Sequence, residues 1–112
     1  MPEVHTQPAD WKRRIDRLVR KAITEAFAYF ETIKKVPKIE EFRDKVLSII
    51  DRDVNLKHLE IEAAEIERTA GGGRAREYLV WAQHTISTLK QDGDFLKELR
   101  EWREKLTKKL QK

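Results

Sequence analysis

From Trp11 onward, apolar side chains recur every three or four residues. Trp11, Ile15, Leu18, Ala22, Ala26, Phe30 and Ile33 form one row, and Val19, Ile23 and Phe27 widen it. Spacing near 3.6 places the whole row on one side of an α-helix. No segment of the chain alternates convincingly with period two, so strands are not expected. The pattern restricts the chain to folds in which a long amphipathic helix lays its stripe against other helices.

The remaining punctuation supplies those helices. Residues 1–9, with two prolines and no periodicity, read as a loose arm. Asp10 is placed to cap the first helix by accepting orphan backbone N–H bonds. That helix is expected to stop near Lys35, because Pro37 disfavours helical dihedrals at Val36. A second helix is expected from Lys38 to Ile50, burying Ile39, Phe42, Val46 and Ile49 or Ile50. "DRD" at 51–53 is read as its break, with Asp53 or Asn55 capping a third helix. The third would bury Leu56, Leu59, Ala63, Ile66 and Ala70, and present Glu60, Glu62, Glu65 and Glu67 on a solvated outer face.

Glycines 71–73 end the third helix, since glycine readily takes the left-handed conformation found just past a helix C-terminus. A fourth helix is expected from Arg74 to about Lys90, with Ala75, Tyr78, Leu79, Ala82, Ile86 and Leu89 inward. "QDGD" reads as a turn, with Asp94 capping a fifth helix whose Phe95, Leu99, Trp102, Leu106 and Leu110 face the core. The expected fold is all-α, a compact bundle of about five helices in a single domain spanning residues 1–112. There is no internal repeat.

Charge is segregated along the chain. Residues 1–35 carry 8 basic and 5 acidic side chains, residues 36–70 carry 6 and 9, and residues 71–112 carry 10 and 6. The ends are basic and the middle acidic, within a net charge of +4 and a pI near 9.4. Such an arrangement suits a polyanionic partner on one face, or subunits pairing through complementary faces. The absence of cysteine excludes disulfides, thiolate zinc sites and cysteine nucleophiles. No apolar run approaches the ~20 residues of a membrane span. "MPEVHTQPADW" lacks the basic-then-apolar order of a signal peptide, so a cytoplasmic protein without membrane partners is expected. Abundant Lys, Arg and Glu beside a single Met is a balance also met in thermophiles.

Nothing spells a catalytic motif. His5, His58 and His84 lie in three segments, none beside a triad pattern. His58 and Glu62 are four apart, but "HLEIE" lacks the second histidine of HExxH, and two ligands do not make a metal site. No enzyme activity, cofactor or metal is expected.

The first helix carries the clearest functional signal. Between Trp11 and Lys21 lie Lys12, Arg13, Arg14, Arg17, Arg20 and Lys21, opposed only by Asp16. Arg13, Arg17, Arg20 and Lys21 share the face opposite the apolar stripe. Guanidinium groups grip phosphate bidentately, and such a face gains affinity for nucleic acid by releasing condensed counterions.

"GGGRAREYLVW" at 71–81 adds a second feature. Gly72, Gly73 and Arg74 would seat an anion or nucleotide phosphate at a helix N-terminus. Arg74 and Arg76 would hold a backbone, and Trp81 would stack a base. Without a preceding strand this is no nucleotide-binding signature, and the glycines read first as an interhelical hinge and second as an anion seat.

The expected function is therefore a non-enzymatic nucleic-acid-binding domain, DNA ahead of RNA. It would act as an accessory or template-binding module in replication, transcription or a nucleoprotein assembly. The alternative is a scaffolding bundle that forms homo-oligomers through its complementary charged faces.

Overall fold

A computed structural model of the chain describes residues 9–70 and 72–111, apart from the side chains of Ala9 and Ala70. Residues 1–8 of the expected loose arm with His5, Gly71, and the burial of Ala70 lie outside the described residues, while Ala9, expected in the arm, begins the first helix. Five α-helices follow one another: α1 (Ala9–Thr32), α2 (Ile39–Asn55), α3 (His58–Ala70), α4 (Arg74–Ser87) and α5 (Gly93–Leu110). A short 3₁₀ turn, Leu89–Gln91, precedes α5. Among the described residues there is no strand, and the all-α bundle predicted from periodicity is what forms.

The long stripe of α1 organises the packing. Ile15, Leu18, Val19, Ala22, Ile23, Ala26 and Phe30 are buried. They meet Phe42, Val46, Ile49 and Ile50 of α2 and Phe95, Leu99 and Leu106 of α5 in one continuous core. Side-chain contacts fix the directions. Ile15 and Val19 share a groove with Phe95, Phe27 meets Trp102 edge-on at 5.6 Å, and Lys109 pairs with Glu31 at 2.7 Å. α5 therefore runs parallel to α1, with α2 antiparallel to both. The α3–α4 hairpin adds Leu59, Ala63, Ile66, Tyr78 and Ala82 to the core and leans on the N-terminal end of α1 through Trp11. That indole packs edge-on to Tyr78 at 5.5 Å and tilted against Trp81 at 5.8 Å.

At 24 residues, α1 is about 36 Å long, and it draws the molecule out to 54 × 28 × 20 Å. The radius of gyration, 16.1 Å, exceeds the ~13 Å of a spherical domain of this length.

Helix ends depart from expectation, each for a local reason. α1 stops at Thr32, three residues before Lys35. Lys34 takes φ 55, its N–H bonds Glu31 O, and the Lys35 N–H bonds Phe30 O. This is a Schellman closure, and it leaves Ile33 exposed. Asp10 lies inside the first turn of α1 and accepts from Arg14 Nε at 2.7 Å. "DRD" does not break α2, which continues to Asn55. No glycine or proline stands there to force a break, Asp53 is buried within the helix, and the reversal falls at Lys57, φ 69. Asp53 accepts from Arg52 through Oδ1 at 3.0 and 3.2 Å, while its Oδ2 is buried without a partner among the described residues. The added turn swings Leu56 outward, to 68% exposure. α4 ends at Ser87, with the 3₁₀ turn taking up the residues to Gln91. Asp92, not Asp94, caps α5: its Oδ1 accepts from the N–H groups of Asp94 at 2.8 Å and Phe95 at 3.3 Å.

Candidate nucleic-acid interface

The six cations near the start of α1 divide into two groups. Lys12 and Arg14 are engaged within the molecule. Lys12 pairs with Asp16 at 3.1 Å. Arg14 bridges Asp10 at 2.7 Å and Glu65 of α3 at 2.8 Å, and approaches Glu62 at 3.7 Å. Arg13, Arg17, Arg20 and Lys21 are exposed and make no ion pair with any described carboxylate. They line a single shallow trough along α1, completed by Thr24 and Ala28, with Asp16 and Glu25 among its lining residues. Both carboxylates already have partners. Asp16 takes Lys12, and Glu25 takes Arg52 of α2 through two bonds of 2.7 and 3.1 Å.

This distribution follows from helix geometry. The core stripe occupies one side of α1, Arg14 flanks it within reach of α3, and the other four cations fall on the far side, where no helix packs. The field there is positive for the same reason. The Arg52 hydrogen bonds hold the Glu25 carboxyl below the usual carboxylate range, with Lys21 and Lys45 contributing through space. Arg14 does the same for Glu65, assisted by Arg68 and Arg17. Arg68, Lys45 and Arg52 reach this neighbourhood from other helices. No pattern in the sequence places them there.

The second feature is arranged differently. Gly72 and Gly73 take φ 65 and 77, forming the left-handed connection that links α3 to α4. The Glu67 carboxylate occupies the resulting helix N-terminus. It accepts from Gly73 N at 3.4 Å and from Ala75 N at 3.1 Å. An external phosphate at Gly72, Gly73 and Arg74 would have to displace this internal carboxylate. Arg74 is half-buried and Arg76 exposed. Trp81 is half-buried against Trp11 and Tyr78 and lines a groove that also holds Asp16, Asp92, Asp94 and Glu98. Lys12 and Arg20 line the same groove, so its charge is mixed.

The outer face of α3 also differs from expectation. Glu62 is 8% exposed and accepts from the Tyr78 hydroxyl at 2.6 Å, with His58 Nε2 at 3.6 Å from the same oxygen. Tyr78 on α4 folds over this part of α3, so the carboxylate predicted to be solvated is covered. Burial, reinforced by the bond to Glu62, pushes the Tyr78 phenol well above its ordinary pKa. Among the described residues no group of three or more His, Cys, Asp or Glu could hold a metal ion, and no helix is long and apolar enough to cross a membrane. No protein-family profile, curated protein or solved structure matches this chain.

Proposed function

We propose that the chain is a non-enzymatic nucleic-acid-binding domain that docks on the phosphate backbone through the outer face of α1. It would serve as an accessory or template-binding module in replication, transcription or a nucleoprotein assembly. The observation supporting this reading is the unequal use of charge. Neighbouring carboxylates are paired, whereas Arg13, Arg17, Arg20 and Lys21 stand exposed together without partners among the described residues. Three guanidinium groups in that set can each grip a phosphate in a planar, bidentate manner, and counterion release supplies the driving force. Arg74 and Arg76 would form an outlying anchor, reached only by a ligand long enough to extend to α4.

Arg17 points into solvent, so Arg17→Glu should leave the fold intact and weaken binding on every sequence tested. In gel shifts across a salt series, the slope of log K against log salt should become shallower by roughly one unit for each phosphate no longer neutralised. Unchanged affinity and slope would overturn the proposal.

A second reading has a specific observation behind it. In the groove beside α5 the carboxylates of Asp16, Asp92, Asp94 and Glu98 outnumber the cations of Lys12 and Arg20, an acidic excess that the basic face of another copy could meet. Light scattering at low and high salt separates the readings. A salt-sensitive oligomer that binds no nucleic acid favours this one.

A further inference from the structure

The polarity and borders of the basic face bear on what form of nucleic acid it fits. The four cations span residues 13–21, a rise of about 12 Å along the helix. Four cations on one face can neutralise about four phosphates. The face is also one helix wide. On the α5 side, Arg20 is adjoined by Asp94, Glu98 and Glu101, set against Lys97 and Lys105. On the α3 side, Arg17 is neighboured by Glu65, itself bound to Arg14. Both borders mix signs, with Arg68 on the α3 side and Lys97 and Lys105 on the α5 side among the carboxylates, so the densest positive charge is that of α1.

The same face lacks what a single strand requires. Unpaired nucleic acid is held largely by bases stacking on exposed aromatic rings, and the residues lining the trough include no aromatic. Trp11 and Tyr78 are buried, and Trp81 is half-buried in the neighbouring groove, which Lys12 and Arg20 also line. Trp102 is half-buried beneath Lys105 at 4.7 Å. Tyr29, the exposed ring of α1, is covered by Lys45 at 4.0 Å.

We infer that α1 takes double-stranded DNA in preference to a single strand, through about four phosphates and without reading its sequence. This rests on the nucleic-acid reading above and narrows it to a form and a footprint.

Fluorescence anisotropy on the intact chain tests it, using a 20-base-pair DNA duplex, each strand alone, and a second duplex of permuted sequence. With about four phosphates neutralised, the expected salt slope on the duplex is about −3.6, against about −2.8 on a single strand. For lines that meet at 1 M salt, the difference corresponds to about sixfold tighter duplex binding at 0.1 M. Between 50 and 200 mM salt, duplex affinity should fall by about 150-fold. The permuted duplex should bind within about threefold of the first, as backbone contacts carry no sequence information. Single strands bound as tightly as the duplex, a slope steeper than about −5, or a permuted duplex more than about tenfold weaker would each overturn the inference while leaving nucleic-acid binding standing. Failure of every probe to bind at low salt would reject the underlying reading, and the inference with it.

Discussion

Tyr78 shows how far one side chain can tie the molecule together. It is fully buried, its ring meets Trp11 of α1, and its hydroxyl donates to Glu62 of α3. Removing that hydroxyl leaves a buried carboxylate short of a donor, with Arg14 and His58 only at 3.7 and 3.6 Å. Tyr78→Phe should therefore cost about 1–3 kcal/mol in urea unfolding at neutral pH. The phenol adds a pH signature. It is neutral when protonated, and its folded pKa is raised, by burial first and Glu62 second. Its contribution is thus fully present below the ordinary phenol value of about 10 and declines as pH rises above it. Stability measured between pH 9 and 11 should fall less steeply in Tyr78→Phe than in the parent. Parallel profiles would show that the phenol is not shielded as described.

At the scale of elements, helix termini carry more of the design than helix interiors. α1 and α2 close on lysines in the left-handed region, Lys34 and Lys57. α3 and α4 are joined through glycines with positive φ, and α5 starts from the side chain of Asp92. Because Asp92 satisfies two of the orphan N–H groups of α5, Asp92→Ala should cost about 1 kcal/mol. Asp94 stands in the first turn and interacts with the helix dipole alone, so Asp94→Ala should cost about 0.5 kcal/mol. Thermal unfolding of the two variants decides between them, and a larger loss at Asp94 would contradict the capping assignment. The α4 terminus obeys the same rule with a more distant acceptor, its N–H groups served by Glu67 from the preceding helix. A hinge supported in this way has an internal anion already in place.

For the molecule as a whole, ion pairs between helices and unpaired cations on the surface both weaken the fold in acid. Glu25–Arg52 joins α1 to α2 and Glu65–Arg14 joins α1 to α3. Both carboxyls are held below their usual range, by Arg52 and by Arg14 respectively. Depressed carboxylate values contribute stability that is present above the unfolded value of about 4.3 and is lost as pH falls through the folded one. Protonating them also leaves the unpaired cations of α1 in a more positive molecule, which adds self-repulsion. The chain should lose stability below about pH 4.3, and a Glu25→Gln, Glu65→Gln double variant should show a shallower acid transition. Solvent screens both pairs, so the difference is small, and a circular-dichroism acid titration of parent and variant would register it. Coincident titration curves would mean that the pairs do not contribute.

The sequence by itself determined the class of fold, because apolar spacing near 3.6 is a property of each helix read alone. It also marked the four cations of α1 that share a face, since position on a helix follows from numbering. What the tertiary structure decided were the relations between helices. Glu62 and Tyr78 are sixteen positions apart, and nothing in either segment signals that one covers the other. Arg14 and Arg13 are adjacent and chemically alike, yet only Arg14 lies within reach of α3 and is consumed there. The break expected at 51–53 moved to Lys57 because a polar run does not end a helix whose next turn, through Asp53 and Val54, packs inward. Charge and periodicity are carried by single residues, whereas neutralisation and burial exist only once a second element has arrived.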